Sequence, residues 1–133
     1  MPVASPGDTA TASIEVTERT VDAYADLVGD HNPLHLDDDY AAETMFGGRV
    51  AHGMLSAGVV SAALASLPGD VVYLAQDLSF EAPVRPGTTV EATATVTAAE
   101  RDDRLTVETT ATAGGETVVT GTATILSLEH DGE

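Results

Sequence analysis

The chain has 133 residues and a net charge of −17, from 22 acidic residues and five basic ones. A domain of this length buries roughly two thirds of the surface of its unfolded chain, so it needs neither disulfides nor a structural metal to fold. The sequence has no cysteine, which excludes a thiolate metal site and a cysteine nucleophile, and its five basic residues are all arginines, too few and too scattered for nucleic-acid binding.

The first part of the chain predicts one strand and one helix. Thr9 to Val16 alternates apolar and polar residues, which is the period of a half-buried strand. The apolar residues from Val21 to Val28 follow helical spacing, and Gly29 ends that helix because glycine tolerates the left-handed conformation.

A stiffened loop and two helices are predicted next. Pro33 disfavours helical geometry in the residue before it, so residues 30–33 should form a tight, non-helical loop. A short helix is expected from Asp37 to Thr44, because the aspartates at its start are favoured by the helix dipole. Gly53 to Leu67 is apolar or small nearly all round and predicts a helix buried on most sides.

The rest of the chain predicts antiparallel strands that would wrap around the buried helix. These strands are Val71 to Phe80, Val90 to Val96, Leu105 to Ala113 and Val118 to Leu128, with a hairpin turn at Gly114 and Gly115. The predicted fold class is therefore α+β, a single domain over residues 1–133 in which an antiparallel sheet encloses a long central helix.

The excess of acidic residues has three interpretations. A disordered acidic tail would need a contiguous block of charge, and the longest block is Asp37 to Asp39. An acidic surface for a basic partner is the second. The third, which we favour, is adaptation to concentrated salt, where screening within roughly 3 Å at molar ionic strength weakens self-repulsion. Without a signal-peptide pattern or an apolar stretch of membrane-spanning length, a soluble cytoplasmic protein with no membrane partner is expected.

The residues capable of chemistry are concentrated between Gly29 and Gly53, which include three of the four histidines. Asp30 and His35 are five residues apart across the stiffened loop and can hold one water between them. One group would take a proton while the other gives one, which suits the addition of water to a double bond. The structural alternatives are a loop or capping role for Asp30 and a hydrogen-bonded role for His35.

The start of the buried helix supplies a third element. The backbone N–H of Gly53 has no acceptor within the helix and carries the positive end of the helix dipole, so it can stabilise the enolate oxygen of a thioester. The missing side chain lets a carbonyl approach. The alternative is an ordinary helix start with His52 as a capping or packing residue.

Three other patterns are given structural or open interpretations. His31 and His35 have the HxxxH spacing of a metal site, but Asn32 and Pro33 interrupt any helix, so no metal is predicted and Asn32 is expected to brace the loop. Ser56 and Ser61 lack a nucleophile-elbow pattern and are interpreted as packing residues. Arg85 can meet a phosphate or can be a solvated turn residue.

These motifs resemble the R-specific enoyl-CoA hydratases of the MaoC-like group, which have the hot-dog fold. Asp30, Asn32, Pro33 and His35 match a D-x-N-P-x-H loop, and residues 52–54 match the HGM that opens the central helix. The similarity extends through the later strands and covers nearly the whole chain.

The resemblance implies hydration of a trans-2-enoyl-CoA to an (R)-3-hydroxyacyl-CoA, with no metal or redox cofactor. Asp30 and His35 would bind the water, and Gly53 would be the oxyanion donor. The candidate substrate-binding residues are Asn32, His52, Met54, Ser61 and Arg85. The family is usually a homodimer whose sheets join edge to edge.

Other functions remain open at this point. Another hot-dog activity, such as a thioesterase or a hydratase for branched or dicarboxylic acyl-CoA, would use a similar site. A non-catalytic acyl-binding subunit would keep the fold alone. The sequence leaves acyl-chain length and pathway undecided, whether supply of polyhydroxyalkanoate precursors or β-oxidation.

Overall fold

The computed structural model describes residues 2–129. Four helices and six strands follow one another along this part of the chain, with one 3₁₀ turn at Arg101–Asp103. The helices are α1 (Glu18–Val28), α2 (Pro33–Leu36), α3 (Asp38–Ala42) and α4 (Gly53–Ala65). The strands are β1 (Thr9–Val16), β2 (Asp70–Gln76), β3 (Ser79–Phe80), β4 (Thr88–Ala99), β5 (Leu105–Ala113) and β6 (Glu116–Leu128).

The six strands form one antiparallel sheet around α4, and the predicted α+β architecture of the hot-dog fold is confirmed. The strand order is β1-β4-β5-β6-β2, and β3 also pairs with β6. Alternate residues of β4 and β5 face inward and are fully buried, as at Val90 and Val107. They pack against the buried face of α4, which includes Val60 and Leu64.

Helix α4 is less enclosed than its sequence predicts. Leu55, Val59 and Ala63 are buried, whereas Met54 and Gly58 lie on a face that the sheet leaves exposed. A uniformly apolar sequence has no periodicity from which the exposed face can be inferred. No helix among residues 2–129 is long and apolar enough to span a membrane.

The predicted strand from Val71 to Phe80 is two strands, β2 and β3, separated at residues 77–78. The cause is a pairing with β6: the main-chain N–H of Asp77 donates to the Thr122 carbonyl at 3.0 Å, and its carboxylate accepts from the Thr122 N–H at 3.0 Å. The Asp77 carbonyl occupies the space that a Cβ of Gly121 would need. The break therefore depends on a glycine on the neighbouring strand.

Capping interactions determine the conformation of the loop between α1 and α2. Gly29 ends α1 at φ 83°, as predicted, and its N–H donates to the Ala25 carbonyl at 2.8 Å. Residues 30–32 are irregular, and the Asn32 side chain accepts from the Leu34 N–H at 3.1 Å to cap α2. Asp37 is the N-cap of α3 and Glu43 its C-cap, so the helix is shorter at both ends than the predicted one.

Candidate active site

Two segments that are distant in sequence are joined by side-chain bonds to the main chain. His35 Nδ1 lies 2.8 Å from the Val50 carbonyl, and His52 Nε2 lies 2.9 Å from the Asp30 carbonyl. Arg49 Nε donates to the His35 carbonyl at 2.6 Å. The segment before α4 therefore holds the loop that carries Asp30 and His35 at three points.

These bonds bring Asp30, His35 and His52 together, with one side-chain ligand atom of each lying within 4.8 Å of the others. Asp30 is exposed, His35 is half-buried and His52 is buried, so the group runs from solvent into the protein. The Val50 carbonyl can only accept, so His35 Nδ1 carries a proton. With Nδ1 bonded to the main chain, Nε2 is the ring nitrogen left for proton exchange with a bound water, as a general acid or base requires.

Asp30 is oriented by its own loop. One carboxylate oxygen accepts from the Asn32 N–H at 3.2 Å, and the carboxylate remains exposed. His31 points elsewhere, where its Nε2 pairs with Asp26 at 3.0 Å on the surface. Of the two histidines in the HxxxH pattern, only His35 joins the cluster.

His52 acts as a brace rather than as a helix cap. The residue is 3 % exposed, and its side chain makes no capping hydrogen bond within the described chain. The ring stacks on His35 with centroids 3.8 Å apart and tilts against Tyr24 at 4.8 Å. Nδ1 is buried without a hydrogen-bond partner among residues 2–129. His52 is the N-cap residue of α4 by position, and of the alternatives of a capping or packing residue its side-chain contacts fit packing. Its bond to the Asp30 carbonyl fixes the position of that main chain.

A cavity of about 530 Å³ opens beside the start of α4. Its lining includes His52, Gly53, Met54, Ser56 and Phe80. Gly53 is exposed, and the Phe80 ring lies on the side where a Cβ would point, since a Cβ on this glycine would be 2.8 Å from the nearest ring carbon. The first residue of α4 therefore presents bare backbone to an apolar cavity that borders on the Asp30 and His35 cluster through His52.

The other predicted substrate-binding residues are spread more widely. Met54 is 57 % exposed and lines the cavity. Ser61 is half-buried about two turns further along α4, outside that lining. Arg85 is exposed, also outside the lining, and its guanidinium donates to the Phe46 carbonyl. Of the two interpretations of Arg85, this contact favours a turn residue tied to its neighbouring loop.

Arg49 was missed in the sequence. Its side chain is 8 % exposed, and besides the His35 carbonyl it binds Glu18 at 2.8 Å and Asp22 at 3.0 Å. Its position between two glycines and the HGM motif gives only a weak signal of this role. The carboxylates that it binds lie 31 and 27 positions away, so the local sequence does not indicate them.

Comparison with known proteins places the chain in a family. The family model of the MaoC like domain matches residues 3–119. The (R)-specific enoyl-CoA hydratase of Rhodospirillum rubrum is 44% identical over 123 residues, 90% of this chain and 85% of that protein. The hydratase of the same name from Aeromonas caviae is 45% identical over 109 residues, 79% of this chain and 81% of that protein.

Solved structures agree with these relatives. The R-hydratase PhaJ1 from Pseudomonas aeruginosa superposes with a TM-score of 0.86 at 35% identity, over 97% of this chain and 88% of that one. An (R)-hydratase from A. caviae involved in PHA biosynthesis gives a TM-score of 0.85 at 38% identity, over 92% and 96% of the two chains. The prediction of an enzyme is confirmed, since these relatives are named as hydratases, which are hydro-lyases. The chain belongs to the MaoC-like family and has its hot-dog fold.

Proposed function

We propose that the chain catalyses the reversible, (R)-specific hydration of a trans-2-enoyl-CoA to an (R)-3-hydroxyacyl-CoA. The observation that carries this proposal is the meeting of Asp30 and a His35 ring with a free Nε2 beside a helix start at Gly53. The names of the relatives from R. rubrum and A. caviae support the substrate class.

In the proposed mechanism, one water binds between the Asp30 carboxylate and His35 Nε2. One of these groups takes a proton from the water as the water oxygen bonds to C3. That proton then passes to C2, directly or through the other group, so that one water supplies both the O–H and the new C–H. The electron pair of the double bond moves toward the thioester carbonyl, whose oxygen accepts a hydrogen bond from the Gly53 N–H. Coupled groups that share one water need not have separable roles, so the first base stays unassigned.

Supporting roles follow from the contacts of the surrounding residues. Asn32 braces the loop through its cap on α2, and His52 holds the Asp30 main chain. Met54 lines the cavity in which the acyl thioester would lie. Ser61 and Arg85 stay candidates for more distant parts of the substrate. No metal or redox cofactor takes part in this mechanism.

We further propose a cytoplasmic homodimer adapted to concentrated salt. Strand β2 lies at an edge of the sheet and carries exposed apolar residues, among them Val72 and Leu74, and Phe80 of β3 is also exposed. Apolar side chains on a free sheet edge favour pairing with another chain. The net charge of −17 supports the salt adaptation.

The direct test is an assay of crotonyl-CoA and longer enoyl-CoA esters at molar salt, with the chirality of the product determined. A hydratase removes the enoyl absorbance, leaves the thioester intact and yields the (R)-alcohol. Release of free thiol would favour a thioesterase instead. Binding without either change would favour a non-catalytic acyl-binding subunit. The enoyl esters that react fastest report the acyl-chain preference.

A further inference from the structure

We propose that Arg49 is a positioning residue that sets the catalytic orientation of His35 by anchoring its main chain to helix α1. The inference rests on the proposed function only in treating His35 as part of the catalytic pair. Arg49 does not touch the water or the acyl group in this arrangement, and it would act entirely through His35.

The geometry of Arg49 uses both sides of its guanidinium. Nε donates to the His35 carbonyl at 2.6 Å, while the two terminal nitrogens donate to Glu18 at 2.8 Å and Asp22 at 3.0 Å. Glu18 and Asp22 lie one turn apart on α1, so the planar group is held at fixed points. A lysine has one nitrogen and cannot span this set of acceptors.

Burial makes these bonds consequential. The Arg49 side chain is 8 % exposed, whereas those of Glu18 and Asp22 are 64% and 60% exposed. A charged group removed from water depends on its hydrogen bonds to stay there, and the bonds in turn hold their acceptors in place. The anchored acceptor of interest is the carbonyl of His35 itself.

The consecutive residues Arg49 and Val50 hold the main chain and the ring of His35. The Arg49 side chain binds its carbonyl, and the Val50 carbonyl accepts from its ring at 2.8 Å. The main chain and the ring of His35 are thus fixed from one short segment. Loss of the Arg49 bond frees the main chain to shift, which weakens the ring bond that keeps the proton on Nδ1 and leaves Nε2 free.

The test compares Arg49→Ala, Arg49→Lys and the double variant Glu18→Gln/Asp22→Asn with the wild type. Arg104→Ala is the matched control, since Arg104 also pairs with an aspartate, at 3.6 Å, but lies far along the chain in the β4–β5 turn. We expect kcat to fall by about 10- to 100-fold in Arg49→Ala with KM within about threefold, because a small misplacement of a catalytic group lowers the rate more than binding. We expect a smaller fall of kcat in Arg49→Lys and in the double variant, and a kcat equal to that of the wild type in Arg104→Ala.

Ring ¹⁵N NMR of His35 supplies a readout that needs no activity. The wild type should show the tautomer protonated at Nδ1, and Arg49→Ala should show a mixture of tautomers while circular dichroism remains that of a folded protein. A kcat within twofold of the wild type together with an unchanged tautomer would overturn the inference. If Arg49→Ala does not fold, Arg49→Lys and the double variant decide by the same two measurements. If the wild type hydrates no enoyl-CoA yet the tautomer changes, the proposed function fails and the positioning role stands.

Discussion

The imidazole rings of His35 and His52 lie face to face, with centroids 3.8 Å apart and planes inclined by 26°. With Asp30 nearby, the two rings have the composition of a metal site. A ring nitrogen binds a metal along a lone pair in the plane of its ring. The two ring planes are inclined by only a small angle, so they meet much farther from the ring nitrogens than the ~2.1 Å length of a metal–nitrogen bond. The two rings therefore cannot direct their lone pairs at one ion. The stack therefore favours acid–base chemistry over metal binding.

Removal of metal ions should leave the reaction unchanged. After dialysis against EDTA, kcat for crotonyl-CoA is expected to stay within about twofold of the untreated value, because no step uses a Lewis acid. Metal analysis of the purified protein should find less than one equivalent of zinc. A loss of activity that added zinc restores would contradict the acid–base assignment.

Substitution of either member of the proposed catalytic pair should strongly slow hydration without unfolding the chain. Asp30→Asn retains an oxygen that can accept from the Asn32 N–H, and His35→Ala removes a half-buried ring. Each variant is expected to lower kcat by about 10²- to 10⁴-fold, the range typical for loss of a general acid or base. Steady-state kinetics at saturating enoyl-CoA measure the effect.

The neighbouring histidine supplies the control for that experiment. His31 is exposed and pairs with Asp26 on the surface. His31→Ala should retain wild-type kcat and KM. If Asp30→Asn and His35→Ala both behave like His31→Ala, the catalytic role of the pair is wrong and an acyl-binding function gains support.

Gly53→Ala should impair turnover because the space beside this glycine is already occupied. A methyl group there would lie 2.8 Å from the Phe80 ring. We also expect it to hinder the approach of a carbonyl to the Gly53 N–H. Alanine keeps the backbone N–H, so the methyl group would act by keeping the carbonyl away from it. We expect kcat to fall by up to about 10²- to 10³-fold, the range for loss of one oxyanion donor. The double variant Gly53→Ala/Phe80→Ala separates the two causes: recovery of kcat would mean that the contact with Phe80, and not the oxyanion site, accounts for the loss.

Gly58→Ala is the matched control on the same helix. A Cβ on Gly58 has no neighbour within 4 Å, so it fits without a shift. Alanine in a helix interior is more favourable than glycine by roughly 0.5–1 kcal/mol, and the free energy of unfolding should rise by about that amount. Its kcat should be unchanged. A lower stability would mean that this face of α4 is packed more closely than the structure indicates.

Much of the arrangement follows from local sequence signals. Gly29 ends α1, Gly114 and Gly115 form the hairpin turn at positive φ, and the alternation of β4 and β5 correctly identifies buried faces. These features depend on the backbone preferences of a few adjacent residues. The short spacing of Asp30 and His35 likewise predicts that they lie close together, and the structure groups them with His52.

The features that were missed depend on pairs far apart in the chain. The break between β2 and β3 comes from Asp77 meeting Thr122, 45 positions away. The burial of Arg49 comes from carboxylates on α1, and the bracing role of His52 comes from a carbonyl 22 positions earlier. The periodic pattern of one segment does not indicate which distant residues it will contact.

The exposed edge of the sheet leads to a prediction about assembly. Leu74 on β2 is 42% exposed and belongs to the apolar edge. Leu74→Lys should raise the dimer dissociation constant by at least about tenfold, since it places a charge where apolar residues would be desolvated. Sedimentation velocity over a range of concentrations measures this. Leu27→Lys, at a position 82% exposed on α1, is the control and should leave assembly unchanged. Equal effects of both substitutions would contradict an interface at β2.

Salt should lower the apparent KM for the substrate. The protein carries a net charge of −17 and coenzyme A is a polyanion, so their long-range repulsion opposes binding when ionic strength is low. At 1 M salt the screening length is about 3 Å, and KM for crotonyl-CoA should fall by at least about threefold relative to 0.05 M salt.

A substrate without the phosphates of coenzyme A tests whether charge repulsion causes the effect of salt on KM. The crotonyl thioester of N-acetylcysteamine has the same reacting atoms but no phosphates, so its KM should depend far less on salt. KM values are compared only at salt concentrations at which the protein is folded. Circular dichroism at each concentration identifies this range. A KM for crotonyl-CoA that stays flat or rises within that range would count against long-range repulsion. Parallel decreases for both thioesters would instead mean that salt acts on the folded protein, through weaker repulsion among its own carboxylates.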